Sequence, residues 1–220
     1  MDLRGKVLLL IGNGPSSWWI RPHHIDELRE ERSDIVVAAC NRTGSYLSAH
    51  VTGAVDRGAI EELLDAGVYH SHKIVVEQEA FAAILRDRGE APAGLADGWN
   101  LFFFARGDTN EGTGVALASA LCGCLPSGVF LIGFDGENDS RTRWQGTRGY
   151  KNRTNQAPIL ERWRKRVVDE VIGPNRWTMF WPDDALHGIP GAKPSAPRRV
   201  LKMLHRWATA RSKESIACPT

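Results

Sequence analysis

Four short polar stretches, each at the end of an apolar run or at the start of a small-residue run, carry the groups in this chain that could do chemistry. In the first, Val7 to Ile11 run into Gly12, Asn13, Gly14, Pro15 and Ser16. A glycine-rich turn at the end of a strand leaves backbone N–H groups to face an anion and lets a phosphate or ribose approach the main chain. The second is Cys40-Asn41, where a carboxamide both donates to and accepts from a base or a ribose. Asp56 ends the next apolar run, so Asn13, Asn41 and Asp56 all fall where strands are expected to stop. The third is Gly112-Thr113-Gly114, whose N–H groups and hydroxyl could meet a phosphate or serve only as a helix cap. The fourth, LIGFDGEND, sets Asp135, Glu137 and Asp139 close together, a cluster that could hold a divalent cation or only cap turns.

The elements that must position these groups read as alternating strands and helices. KVLLLIG, SDIVVAACN, VTGAVD, KIVVEQ, LFFFAR and VFLIGFDGE are strand-like, with LFFFAR expected to be buried, and RWTMFW is a weaker seventh. Between them IDELREER places Ile25 and Leu28 at helical spacing, RGAIEELLDAG closes on Gly67, a helix begins near Glu79, and GTGVALASALCGC is a small-residue helix. Apolar runs separated by amphipathic helices predict an α/β fold: a Rossmann-like, mostly parallel sheet with helices on both faces. In such a sheet the strand carboxyl ends converge on the ligand crevice.

Residues 136–155 are polar, rich in Gly, Arg and Asn, and lack apolar periodicity, which predicts a lid carrying Arg141, Arg143, Arg148, Tyr150 and Lys151. The expected organisation is one domain over 1–192 and a basic tail over 193–220. From Lys193 to Lys213 the charged residues are all basic, and Leu201, Leu204 and Trp207 would form an apolar stripe on a helix. This segment is read either as a solvated helix packed on the domain or as a surface for nucleic acid or another anionic partner. Trp18, Trp19 and Trp144 could stack on a base or sugar, or fill core.

The 220 residues, 42% hydrophobic and 25% charged with a formal net charge of +2, describe an ordinary folded chain and argue against a dedicated nucleic-acid binder. The four cysteines lack metal-ligand spacing, so structural zinc is not expected. The apolar run at the start ends in a Gly-rich turn, and no run is long enough to span a bilayer, so a cytoplasmic location is expected. Neither GxGxxG nor GxxxxGK[ST] occurs.

GNGPS, CN, the TGV helix start and LIGFD, in that order, resemble the bacterial sialyltransferases of Rossmann-like, GT-A-variant fold. WPDDALHGIPGAKP is similar to that family's late segment, and the likeness runs in order over most of residues 5–195. GNGPS and LIG-D also resemble the 6-hydroxymethylpterin diphosphokinases. The resemblance implies a glycosyltransferase with a CMP- or UDP-sugar as co-substrate and no tightly bound cofactor. Gly12, Asn13, Gly14, Ser16, Asn41, Asp56, Gly112, Thr113 and Gly114 would hold the donor, and Arg143, Arg148 and Lys151 the leaving phosphate. The family's base is a histidine before an SKN-like run, but here GYKN puts Gly149 or Tyr150 there, and no histidine lies between His72 and His187. The base is therefore sought among Asp135, Glu137, Asp139 and His187, with Tyr150 beside them.

The acceptor, a carbohydrate or less readily a nucleic-acid base, and any homo-oligomer stay open. Two other readings are carried: ATP-dependent diphosphate transfer to a pterin-like alcohol with magnesium on the Asp135 cluster, and a non-catalytic nucleotide- or nucleic-acid-binding module.

Overall fold

The computed structural model describes residues 2–89, 100–104 and 112–134, with short stretches at 165, 169, 179–181, 192–194, 199–202 and 204. Its strands are β1 (Val7–Ile11), β2 (Ile35–Cys40), β3 (Val51–Ala54), β4 (Lys73–Val76), β5 (Leu101–Phe103), β6 (Gly128–Ile132), β7 (Met179–Trp181) and β8 (Ala192–Pro194). They form one eight-stranded sheet in the order β5-β4-β3-β2-β1-β6-β7-β8. Every neighbouring pair is parallel, with Ile11 in register with both Ala39 and Ile132.

The described α-helices include α1 (Pro22–Glu31), α2 (Arg42–Tyr46), α3 (Arg57–Asp65), α4 (Gln78–Arg88) and α5 (Thr113–Cys122), and residues 199–202 are also helical. Alternate residues of the central strands pack on opposite sides. Leu8, Leu10, Ala38, Cys40, Val129 and Leu131 meet α5 through Val115, Leu117 and Leu121. Leu9, Ile11, Val37, Ala39, Phe130 and Ile132 meet α1 through Ile25 and Leu28. Because both faces are covered, β1 and β6 are apolar at every position and fully buried, which is why they read as continuous runs instead of alternating ones. A third cluster joins α3 and α4 to Ile74 and Val76. Helix boundaries follow local chemistry: Glu77 caps α4 by accepting from the Glu79 and Ala80 N–H groups, and Gly67, at φ 64, follows the end of α3.

One expectation changes. LFF is a strand, but Phe102 and Phe103 are 37% and 45% exposed, because β5 is the outermost of the described strands. Phe103 meets the edge of Phe81, and the Lys73 ammonium stands 6.0 Å from the centre of the Phe102 ring. The described residues beyond 191 include β8 and Val200, Leu201 and Leu204, the last three buried in the same core cluster as α1 and β1, as expected of a helix packed on the domain. Arg32, 7% exposed, ties this segment down, donating to the Leu204 carbonyl at 2.7 Å while it grips both carboxylate oxygens of Asp34. That bidentate pairing holds the Asp34 carboxyl below its ordinary pKa.

From β1 to β5 the chain steps outward in one direction; it then returns to lay β6 on the other side of β1, with α5 on the opposite face from α1. The reversal beside β1 is the switch point of a Rossmann-like sheet, as right-handed crossovers require. It is very tight. Gly12 and Gly14 donate their N–H groups to the Ile132 and Gly133 carbonyls at 2.7 and 2.9 Å, and the Gly133 N–H is received by Ser16 Oγ at 2.8 Å. A Cβ on Gly133 would stand 2.7 Å from the Gly12 carbonyl oxygen and 2.8 Å from Ser17 Cβ.

The opposite ends of the strands hold a pair of histidines. His50 Nδ1 accepts the Val37 N–H at 3.0 Å, so this nitrogen must stay unprotonated, and His72 Nδ1 is buried with no hydrogen-bond partner among the described residues. Burial first, then the Arg29 charge, push both rings below the ordinary histidine value of 6.5, with His72 adding to the effect on His50.

Two predictions follow from these contacts. Gly133→Ala and Gly5→Ala both force alanine into a left-handed backbone, but a Cβ on Gly5 meets nothing within 4 Å. Urea unfolding is expected to show Gly133→Ala less stable than Gly5→Ala by about 1–3 kcal/mol, the cost of overlap in a packed site. Since the folded pKa of His50 lies below its unfolded value, the unfolded chain takes up protons first as pH drops. Stability is therefore full above 6.5 and declines as pH falls below it toward the folded value. His50→Asn, whose Oδ1 can accept the Val37 N–H without titrating, is expected to shrink this acid-side loss in unfolding curves between about pH 7.5 and 5.

Candidate functional site

Asn13 lies two residues past Ile11 and Asn41 two past Ala39, so the register partners of β1 and β2 deliver the two carboxamides to one edge of the sheet. The turn between β1 and α1 is built around the β6 contact. Ser17 donates its hydroxyl to the Gly14 carbonyl at 2.8 Å, and the Trp18 indole N–H donates to the Asn13 carbonyl at 3.3 Å. Trp18 is half-buried over the turn, while Trp19 packs against the core beside Ile20 and Ile25.

Each carboxamide has a threonine partner. Thr43, fully buried in α2, donates its hydroxyl to Asn13 Oδ1 at 2.6 Å. Thr113, the first residue of α5 and 6% exposed, donates to Asn41 Oδ1 at 3.2 Å and accepts the Val55 N–H at 3.3 Å. The start of α5 is thereby hydrogen-bonded to the end of β2 and to the residue after β3. Gly114 fits because a Cβ there would stand 2.6 Å from the Phe134 ring, and Gly112 takes a φ of 95.

Asn41 itself is 6% exposed and adopts φ 52, ψ −139, a conformation that side-chain-bearing residues rarely occupy. Its N–H bonds to the Gly53 carbonyl at 2.6 Å and its carbonyl receives the Gly44 N–H at 3.0 Å, so the strain is held on both sides.

The structure therefore brings Gly12, Asn13, Gly14, Ser16, Asn41, Thr113 and Gly114 to one end of the sheet, with Gly112 just ahead of α5. Two of the turn amides expected to face a phosphate, those of Gly12 and Gly14, are instead given to β6. Asp56 stands exposed just before α3, one residue beyond Val55. Asp135, Glu137, Asp139, Arg143, Trp144, Arg148, Tyr150, Lys151 and His187 lie outside the described residues. Thr43 was not among the expected residues; its only signal in the sequence is a hydroxyl two positions after Asn41 in CNRTG.

The described floor is made of amides, hydroxyls and glycines, with Asp56 at its margin. Cys40, directly before Asn41, is no nucleophile, since burial raises its thiol pKa to about 12. Among the described residues no three His, Cys, Asp or Glu side chains gather as a metal site, and no helix is long and apolar enough to cross a membrane. Such a floor can bind and orient a polar ligand.

An all-parallel, Rossmann-like α/β sheet with polar groups at its carboxyl edge is the class that fold and site define. No protein-family model matches the chain, and no curated protein matches its sequence. In fold it is similar to the MAf glycosyltransferase from Magnetospirillum magneticum AMB-1, with a TM-score of 0.52 at 13% sequence identity over 96% of this chain. The chain spans 38% of the length of that protein.

At the strained position, Asn41→Gly removes the side chain and relieves the backbone, whereas Asn41→Ala removes the carboxamide and keeps the strain. Thermal or urea unfolding is expected to place Asn41→Ala below Asn41→Gly by about 1–2 kcal/mol.

Proposed function

We propose that this chain is a glycosyltransferase that moves a sugar from a nucleotide-activated donor to an acceptor. The observation that carries the proposal is the likeness in fold, along 96% of the chain, to a glycosyltransferase. It gains support from Asn13, Asn41 and Thr113 at the carboxyl edge of the sheet, where nucleotides bind in this fold class.

In the proposed reaction Asn13, Asn41 and the first turn of α5 bind the nucleotide part of a CMP- or UDP-sugar. Glycosyl transfer needs charge stabilisation for the departing nucleotide phosphate and a group to take the acceptor proton. The proposal gives the first task to Arg143, Arg148 and Lys151, and the second to a carboxylate among Asp135, Glu137 and Asp139 or to His187, with Tyr150 available to donate to the phosphate. The donor is a co-substrate. The acceptor is a carbohydrate in this reading, and a basic surface within 193–213 would serve a nucleic-acid acceptor.

The test is thermal unfolding with CMP, UDP, GDP, ATP, and the CMP- and UDP-sugars, each with and without magnesium. A ligand that binds only the folded state raises the midpoint, and at 100 times its dissociation constant adds about 2.7 kcal/mol. One nucleotide-sugar and its nucleotide are expected to stabilise the protein without magnesium, and Asn13→Asp is expected to cut the shift by at least half. Stabilisation by ATP with magnesium alone would replace this reading with diphosphate transfer, and no stabilisation by any of them would overturn it.

A further inference from the structure

His50 joins three strands at their amino ends. β3 pairing starts opposite Ala38, and just ahead of it His50 takes both peptide groups of Val37. Its N–H donates to the Val37 carbonyl at 2.9 Å, and its Nδ1 accepts the Val37 N–H at 3.0 Å. Its carbonyl receives the Lys73 N–H at 3.2 Å, where β4 begins. Val37 is fully buried, so its N–H has no water to turn to if the ring lets go.

Residues 41–50 run from the carboxyl edge of the sheet to this joint. The front of the segment is tied by the Asn41 N–H to the Gly53 carbonyl at 2.6 Å, and by the Thr43 hydroxyl to Asn13. The rear is tied by His50 and by Arg29, which donates to the Ser48 carbonyl at 2.9 Å. Between the two ends stand α2, whose 5 residues are too few to hold a helix alone, and Ser48, at a left-handed φ of 52. A segment so short and strained keeps its shape through its anchors.

Among the described residues, the charged or titratable groups that act on the His50 ring are Arg29 of α1, His72 ahead of β4 and Lys6 ahead of β1. Each is a cation or a neutral imidazole, and His72 is itself acted on by Arg29. A proton on Nδ1 would therefore enter a cationic corner and point at the Val37 N–H, donor against donor.

We propose that His50 is an acid-released latch: a proton on Nδ1 expels the Val37 N–H and frees residues 41–50 from the amino ends of the strands. A proton taken up there is thus felt at the carboxyl edge, through α2 and Thr43. His50 acts on that edge only through the stability of this segment, and the latch works whatever the edge binds. It is a local opening, distinct from unfolding of the whole sheet. In the released form the ring returns to its ordinary value of 6.5, above that of the latched ring, so the released form gains population as pH falls below 6.5.

Amide hydrogen exchange followed by NMR between about pH 7.5 and 5, corrected for the intrinsic pH dependence of exchange, tests this. Opening at Val37, Gly44, Leu47 and Ala49 is expected to rise together, approaching about tenfold per pH unit below 6.5, the slope of one proton. The Leu9 and Leu131 amides at the sheet centre are expected to exchange more slowly at every pH. In His50→Asn, whose Oδ1 takes the place of Nδ1 and does not titrate, the four amides are expected to keep their neutral-pH protection through the acid range. If that variant does not fold, the ring of the unsubstituted protein decides. Its 15N shifts are expected to show Nδ1 unprotonated and hydrogen-bonded at neutral pH, and its protonation to run with the opening of the four amides.

Opening that ignores pH, that persists unchanged in a folded His50→Asn, or that matches the exchange of Leu9 and Leu131 would overturn the proposal. So would a protonated ring beside a Val37 amide that stays protected.

Discussion

The close approach of β1 and β6 is the constraint on which the rest of the molecule depends. Gly12 and Gly133 meet backbone to backbone, each placed where a Cβ would strike the other's carbonyl group. Three hydrogen bonds, from the Gly12, Gly14 and Gly133 N–H groups, then join the turn after β1 to the end of β6. This contact sits where the strand order reverses, so it decides where the first turn goes, which way Asn13 leaves the sheet, and how the chain after β6 begins. A glycine-rich turn of the kind that can face a ligand is here used largely to bring two strands together.

The side chains around that turn divide the labour of the proposed reaction. Each amide has a hydroxyl partner, Thr43 for Asn13 and Thr113 for Asn41. The strained backbone of Asn41 is held by two backbone hydrogen bonds and by the Thr113 contact. With the Cys40 thiol kept neutral by burial, the proposed reaction asks the described floor only to bind and orient, and gives proton and charge transfer to other residues. The histidines at the opposite strand ends belong to stability and not to the site: His50 anchors Val37, and its ring is kept neutral by burial beside Arg29.

The sheet itself was largely legible. Leu8, Leu9, Leu10 and Ile11, apolar without alternation, mark a strand covered on both faces, and Ile25 with Leu28 mark the inward side of α1. Gly67 marks the end of α3 for a local reason, its left-handed backbone. The short helix α2 escaped notice because five residues carry no helical period, and Thr43 with it. The exposure of Phe102 and Phe103 could not be read from their types, because apolar side chains at a sheet edge and at its centre look alike in a sequence.

The sequence by itself determined the alternation of strands and helices, the class of sheet they form, and the polar residues that leave the ends of β1, β2 and β3. These depend on hydrophobic period and on turn chemistry, both of which are local. Only the tertiary structure decided that Gly12 meets Gly133, that Thr43 bonds to Asn13 and Thr113 to Asn41, and that Val200, Leu201 and Leu204 join the core cluster of α1. Most of these contacts join residues far apart in the chain, from 30 positions between Asn13 and Thr43 to 172 between Arg32 and Leu204. The order of strands brings them together, and strand order is a property of the whole packing that no short stretch encodes.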